Sequence, residues 1–234
     1  MKSTNQPVIR NFLDYIKNVR MYSFHTIRSY AHDLDDYYSY CINNYGDKEF
    51  VYLDHTAIQS YLQYLSRRGL SAKTLARRLS SIKSLYKYML INNLIHTNIA
   101  KFIKTPKTNI ELPHYLSLKE AENILRIPVG NGRDNLRDRL ILELFYATGV
   151  RISELIKINL KDIRLEENII HILGKGNKER IVIIGSEAKT TLLKYIANLN
   201  EENGNEDGFL FPPIRKHKNN TISPKTVFNI VKKY

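Results

Sequence analysis

Acidic residues are missing from a long stretch of this sequence. No aspartate or glutamate lies between His55 and Ile110. The cations of the same stretch are Arg67, Arg68, Lys73, Arg77, Arg78, Lys83, Lys87, Lys101, Lys104 and Lys107. A surface that only faces water normally mixes both signs of charge. We therefore predict that this segment lies against a negatively charged partner.

Cysteine is also scarce, because Cys41 is the only one in the chain. A single cysteine excludes an internal disulfide and a cysteine-based zinc site, and we interpret Cys41 as a small apolar residue of a helix. The seven histidines show no HExxH or other paired-ligand spacing, so we predict no metal site. No Gly-x-Ser-x-Gly nucleophile motif is present either.

Long hydrophobic runs are absent as well. No apolar segment approaches the roughly 20 residues that cross a bilayer. The N-terminus begins with polar residues and carries Asp14 where a signal peptide needs a continuous apolar region. We therefore predict a cytoplasmic protein with no membrane partner.

The chain does contain the ingredients of a folded, basic protein. Its 234 residues are 43% hydrophobic and 25% charged, enough for two ordinary domains without disulfides or metals. The net charge of +13 indicates a polyanionic partner, with nucleic acid favoured over an anionic membrane.

The first hundred residues have helical periodicity throughout. We predict helices over 7–19, 24–42, 56–66 and, after an N-cap at Ser71, from there to about residue 90. The last of these has an apolar side and a basic side that includes small serines (Ser80, Ser81 and Ser84), which let a backbone approach a phosphate closely. The residues that we predict to bind DNA here are Lys73, Arg77, Arg78, Lys83 and Lys87.

The stretch from 98 to 114 has two prolines and no sustained period, which is typical of an interdomain linker. We place the first domain at 1–104, the linker at 105–114 and a second domain at 115–234. In that second domain we predict a helix capped by Ser117 with Glu120, helices over 138–146, 152–158 and 186–200, and a last capped helix near the C-terminus. NIIHIL and RIVII, joined by a glycine-rich tip, predict an antiparallel hairpin.

Two places in the second domain bear cations at element junctions. Arg151 follows a Thr-Gly break in LFYATGVRISEL, with Glu154 three residues later. An arginine there offers five donors and a permanent charge, so it is either a salt-bridged helix start or a ligand for an anion. The hairpin tip GKGNKER carries Lys175 and Lys178, and it lacks the spacing of a P-loop. We include Lys178 among the residues that we predict to bind DNA. Lys175 stands between two glycines that permit close approach to another molecule.

These segments together resemble a known family. RDRLILELFYATGVRISEL, followed by LKDIRLEENIIHILGKGNKERIVII, is similar to the catalytic domain of tyrosine recombinases (the phage integrase family), in particular the Xer type. The upstream GLSAKTLARRLSSIKSLYKYM resembles the helical, SAM-like core-binding domain of the same proteins. The resemblance covers essentially the whole chain, in order.

The resemblance implies a fold and a chemistry. The expected fold is mainly α with a small antiparallel β-sheet: a helical core-binding domain plus an α+β catalytic domain that form a C-shaped clamp around duplex DNA. In the family a tyrosine attacks a backbone phosphate to form a 3′-phosphotyrosyl link, with no cofactor or metal. Arg151 matches the arginine that binds the scissile phosphate, Lys175 matches the hairpin lysine that acts as general acid, and Glu154 matches an orienting acidic neighbour.

The resemblance also implies residues that have no match here. A His-x-x-Arg box and the tyrosine nucleophile would follow the segment SPKTVFNIVKKY, so we do not assign the nucleophile to Tyr234. We expect this chain to lack the C-terminal end of the catalytic domain and to bind DNA without cleaving it. The implied partners of a full-length recombinase are a specific duplex site and a homo- or hetero-tetramer. The alternatives are a nonenzymatic DNA-binding remnant or regulator, and a basic helical module that binds no nucleic acid.

Overall fold

The computed structural model describes residues 6–46, 53–107, 115–174, 178–203, 208–213 and 220–234. The chain divides into two compact units, Met1–Leu112 and Pro113–Tyr234. Most of the regular structure is helical, with one small antiparallel sheet, as the sequence predicts. Among the described helices none is long and apolar enough to cross a membrane.

The N-terminal unit contains four α-helices whose starts are set by capping side chains. The helices are α1 (Pro7–Asn18), α2 (Phe24–Tyr45), α3 (His55–Arg67) and α4 (Ala72–Ile91). Ser23, Asp54 and Ser71 each accept a hydrogen bond from a backbone N–H in the first turn of the helix that follows. These N–H groups have no partner inside the helix, so each cap satisfies an otherwise free donor.

The apolar faces of the four helices enclose one core. Its members include Ile9, Phe12, Ile16, Leu34, Tyr37, Ile58, Tyr61, Leu79, Ile82, Leu85 and Met89. A 3₁₀ turn at Ile99–Phe102 adds Ala100 and then Ile103 to the same core. The start of the proline-containing stretch 98–114 therefore belongs to the N-terminal unit, and its residues 108–114 lie outside the described part of the chain.

Arg78 lies inside this unit, which corrects its prediction as a DNA-binding residue. Its side chain is only 10% exposed, and Nη1 donates to the hydroxyl of Tyr61 at 2.7 Å and lies 2.6 Å from Oδ2 of Asp36. Burial raises the pKa of Tyr61 to about 12 despite the opposing effect of Arg78, so the hydroxyl stays neutral. Arg78 thus contributes its guanidinium to contacts inside the fold.

Buried Asp33 of α2 satisfies the neighbouring polar groups of α4. Arg77 forms an ion pair with its carboxylate, and Ser81 donates to the same oxygen at 2.9 Å. Ser81 is fully buried, so its predicted place on the basic side of α4 is wrong. The side chain of Arg77 remains 47% exposed, which leaves it partly accessible although its charge is compensated.

The C-terminal unit combines five helices with the sheet in its described part. They are α5 (Leu118–Arg126), α6 (Arg133–Thr148), α7 (Ile152–Leu155), α8 (Ser186–Asn203) and α9 (Pro224–Lys233), with β1 (Ile163–Arg164), β2 (Ile169–Leu173) and β3 (Glu179–Ile183). The predicted capping box of Ser117 and Glu120 is confirmed at the start of α5. α6 begins five residues earlier than predicted, since its first turn is polar and is held by Arg137 with Asp134.

The sheet has the antiparallel order β1-β2-β3. The predicted hairpin is confirmed, with Ile170 opposite Val182 and Ile172 opposite Arg180. Ile170, Ile172 and Val182 face the core formed with α6 and α8. β1 was not predicted, because two residues are too short to display an alternating pattern.

We predict that Arg78→Met destabilises the N-terminal unit by about 3 kcal/mol, because it leaves Asp36 without its cation and removes a buried hydrogen bond. Lys73→Met is the matched control, since Lys73 is exposed on the same helix and should change the free energy of unfolding by less than about 0.5 kcal/mol. Urea denaturation followed by circular dichroism measures both. Equal losses of unfolding free energy in the two variants would indicate that Arg78 acts as an ordinary surface residue.

Candidate active site

Arg151 is presented by the junction between α6 and α7. Gly149 ends α6 in the left-handed conformation, with φ of 58°, which a residue bearing a Cβ adopts only at a cost. Two residues later Arg151 is the N-cap of α7, with extended backbone angles. The chain therefore turns sharply and projects the Arg151 side chain outward, where it is 72% exposed.

Glu154 is the buried carboxylate of the site. Only 4% of its side chain is exposed, and it accepts hydrogen bonds from the backbone N–H of Arg151 at 3.0 Å and from Nη1 of Arg151 at 2.9 Å. A third bond comes from Nη2 of Arg180 on β3, at 2.7 Å. One carboxylate thus connects the start of α7 to the hairpin.

The charge of Glu154 is strongly stabilised. Burial by itself would raise the pKa of this carboxyl, but the hydrogen bonds from the Arg151 backbone, Arg180 and the Arg151 side chain outweigh burial and lower the pKa to about 2. Glu154 therefore stays ionised at any physiological pH. Two guanidinium groups around one carboxylate leave the cluster with a net positive charge.

Part of the Arg151 guanidinium remains available to a ligand. Nη1 bonds to Glu154, whereas no protein partner for Nε or Nη2 occurs within the described residues. Because the guanidinium is planar, fixing one of its nitrogens also orients the others. The result is a fork suited to two oxygens of a phosphate or carboxylate.

The hairpin approaches this cluster through Gly174. Its N–H donates to the carbonyl oxygen of Lys178 at 2.7 Å, which closes the turn. A Cβ at Gly174 would lie 3.2 Å from that oxygen and 3.4 Å from Oε1 of Glu154. Lys175, the predicted general acid, lies outside the described residues. Lys178, the next described residue, is exposed. The stem of the hairpin is therefore close to Glu154.

Arg180 is the residue of this cluster for which the sequence predicted no role. The strand register could have indicated this role, because Arg180 pairs with buried Ile172 and shares a face of β3 with Val182. A cation on the inward face of a strand needs a buried acid, and Glu154 supplies it.

A second ionic cluster joins α6 to α9. Asp138 is buried and receives two bonds from Arg137, with Lys233 and the hydroxyl of Tyr234 at its other oxygen. The Tyr234 hydroxyl donates to Asp138 at 3.0 Å and accepts from Lys233 at 2.8 Å. This hydroxyl therefore has a structural partner in Asp138.

The basic side of α4 is the other predicted interface. Lys73, Arg77, Ser80, Ser84 and Lys87 follow each other at intervals of three or four residues, so they lie on one face of the helix. We call these five residues the α4 stripe. Lys73 and Lys87 are exposed, and half-buried Lys83 flanks the stripe. No group of three potential metal ligands was found in the described parts of either unit.

Comparisons with known proteins agree with both units. Residues 114–234 match the Phage integrase family, and residues 9–93 match the phage integrase N-terminal SAM-like domain. Tyrosine recombinase XerC of Thermodesulfovibrio yellowstonii is 35% identical over 195 residues, which cover 83% of this chain and 63% of the relative. Tyrosine recombinase XerD of Oceanobacillus iheyensis is 34% identical over 203 residues, which cover 85% of this chain and 68% of the relative. The chain belongs to the phage integrase family.

Solved structures show the same fold at lower identity. A lambda integrase tetramer bound to a Holliday junction aligns with a TM-score of 0.70 and 16% identity, over 97% of this chain and 63% of the other. XerH recombinase in a post-cleavage complex with difH aligns with a TM-score of 0.68 and 20% identity, over 96% of this chain and 68% of the other. The chain thus spans about two thirds of the length of these proteins and of the Xer relatives.

The lowered pKa of Glu154 predicts a stability that depends on pH. The folded-state pKa of about 2 lies below the ordinary 4.5, so the contribution is complete above about pH 4.5 and is lost as pH falls towards 2. At neutral pH we expect the free energy of unfolding of the wild type to exceed that of Glu154→Gln by about 2 kcal/mol. This figure allows for the exposed sides of both arginines. Denaturation from pH 7 to pH 3 should show this difference shrinking.

Glu166→Gln is the control for that titration, because Glu166 is exposed in the turn between β1 and β2. The free energy of unfolding of Glu166→Gln should match that of the wild type at every pH. A Glu154→Gln difference that stays constant down to pH 3 would contradict the buried carboxylate as the cause.

Proposed function

We propose that this chain forms the DNA-binding and phosphate-binding part of an Xer-like site-specific recombinase. The protein would cut and rejoin duplex DNA through a 3′-phosphotyrosyl intermediate. The observation that supports this most directly is the exposed Arg151 guanidinium, whose orientation is set by buried Glu154. Family membership and the Xer relatives at 34–35% identity support the reaction class.

In the proposed reaction, a tyrosine oxygen attacks a backbone phosphorus. A phosphorus–oxygen bond to the tyrosine forms while the bond to the 5′ oxygen breaks, and the leaving oxygen takes a proton. Lys175 would donate that proton as general acid. Arg151 would bind the nonbridging oxygens, on which negative charge increases in the transition state. We assign the nucleophile to no residue of this chain.

The arrangement around Arg151 suits this role for an electrostatic reason. A donor that is oriented before the reaction needs no reorganisation as charge develops, and one such donor is worth about 3 kcal/mol in comparable sites. Glu154 orients the guanidinium without neutralising the cluster, because Arg180 supplies a second positive charge. The net charge therefore remains attractive to phosphate.

The α4 stripe would supply the binding that does not depend on sequence. Lysines that approach DNA phosphates release condensed counterions, so each contact contributes to affinity and to its salt dependence. Ser80 and Ser84 keep the helix surface low between Lys73 and Lys87, which lets a sugar-phosphate backbone come close. A specific duplex site and further recombinase subunits are the partners that we propose.

We predict that duplex binding weakens steeply between 50 and 200 mM salt, by about 10³-fold or more if some six phosphates are contacted. Lys87→Gln should lower the slope of log K against log salt by about 0.9, the share of one phosphate. Lys17→Gln, an exposed change on α1, should leave the slope unaltered. Fluorescence anisotropy with a labelled duplex measures both, and a flat salt response would exclude a DNA-binding role.

The catalytic role of Arg151 is tested with a nicked suicide duplex, on which a covalent protein–DNA adduct accumulates and is seen on a denaturing gel. Arg151→Ala should slow adduct formation by about 10²-fold or more while duplex affinity changes by less than about threefold. The variants are made in the longest product of the gene. This chain, to which we assign no nucleophile, is tested beside it.

Arg164→Ala is the control for that assay, because Arg164 is exposed on β1 of the same unit. It should form adduct at the wild-type rate. Salt-sensitive duplex binding without adduct from either protein would favour the nonenzymatic DNA-binding alternative over a recombinase.

A further inference from the structure

A cleft of about 230 Å³ opens on the N-terminal unit, where α1 and the start of α2 meet the C-terminal half of α4. Its walls are aromatic, and they include Phe12, Tyr15, Tyr22, Tyr30 and Tyr88. The rings brace each other, with centroids 5.2 Å apart for Tyr15 and Tyr88 and 6.2 Å apart for Tyr22 and Tyr30. The cleft is therefore a formed recess whose walls include packed aromatic rings.

The rim of this cleft is cationic. Arg20 and Lys87 line it, and the described residues around it include no carboxylate. Tyr22 at the mouth is 37% exposed and Ile91 is 62% exposed. A simple packing defect would be enclosed and apolar, whereas this recess combines open aromatic rings with positive charge. Such a combination matches a ligand that has a planar ring and an attached anion.

The size of the cleft narrows the choice of ligand. Sites for drug-sized molecules measure about 300–1,000 Å³, so 230 Å³ suits a single planar ring system. The position of the cleft narrows the choice of ligand further, because Ser84 and Lys87 belong both to the cleft and to the α4 stripe. A nucleic-acid backbone that follows the stripe would reach Lys87 at the mouth of the cleft.

We propose that this cleft binds one unstacked nucleobase of DNA, with Lys87 and Arg20 binding the adjoining phosphates. The inference rests on the proposed function, since the DNA must lie along the α4 stripe. Base faces stack on aromatic side chains regardless of sequence, and each stacked base adds measurably to affinity. A fully paired base cannot enter, so the cleft selects bulged, frayed or single-stranded positions.

The test compares three labelled duplexes of the same sequence: fully paired, with one extrahelical adenine, and with one extrahelical abasic nucleotide. Fluorescence anisotropy at fixed salt gives the affinity of this chain for each. We expect the extrahelical adenine to improve affinity about ten-fold over both other duplexes. The abasic duplex matters because it has the same added flexibility without the base.

Variants locate the effect in the cleft. Tyr22→Ala should abolish the preference while leaving affinity for the paired duplex unchanged, and Tyr22→Phe should keep it because the ring remains. Tyr64→Ala is the matched control, since Tyr64 is a similarly exposed tyrosine (42%) on α3. Urea denaturation checks that each variant is folded.

Four results would overturn the inference. Equal affinity for all three duplexes, or equal affinity for the adenine and abasic duplexes, rejects base binding and leaves the proposed function intact. A preference that survives Tyr22→Ala places the base elsewhere. A dimer that Tyr22→Ala dissociates in size-exclusion chromatography, without any base preference, assigns the cleft to a second copy of the chain. Absence of salt-sensitive binding to every duplex rejects both the inference and the proposed function.

Discussion

The C-terminal unit depends on one buried carboxylate. Glu154 accepts bonds from the backbone of Arg151, from its guanidinium and from Arg180, so a single residue determines the start of α7, the direction of Arg151 and the attachment of the hairpin. Burying a lone carboxylate is costly, and only a matched set of donors makes it stable. The same donors then present a net positive charge to solvent. Stability and anion binding thus arise from one arrangement.

The N-terminal unit repeats this arrangement in its interior. Asp33 and Asp36 of α2 receive Arg77, Arg78 and Ser81 from α4. The segment from 55 to 110 contains no acid, yet Arg77 and Arg78 pair with acids that lie more than 40 residues earlier in the chain. An acid-free segment is therefore not an acid-free surface. Of the cations on α4, Lys73 and Lys87 are exposed, Lys83 is half-buried, and Arg78 is buried.

Local chemistry explains what could be predicted from the sequence. Caps at Ser71 and Ser117, the break at Gly149 and the β-branched hairpin act within a few residues, so their patterns are visible in one dimension. The exposure of Arg151 and its closeness to Glu154 follow from spacing in the same way. Features that depend on distant partners were missed or wrong, namely the interior place of Arg78, the role of Arg180 and the two-residue strand β1. The 3₁₀ turn at Ile99–Phe102 belongs with them, because only tertiary packing of Ala100 orders it.

The attachment of α9 affects the order in which the chain can fold during synthesis. Thr221 bonds to the carbonyl of Ile156, 65 residues earlier, and Tyr234 bonds to Asp138, 96 residues earlier. Contacts between residues so far apart form late, because the intervening loop must close first. The four-helix unit also contains distant contacts, such as Tyr15 with Tyr88, but all of them lie in the first half of the chain, so this unit can fold while the rest is still being translated. A ribosome-bound chain therefore acquires its basic helical surface before the cluster around Glu154 has the support of α9.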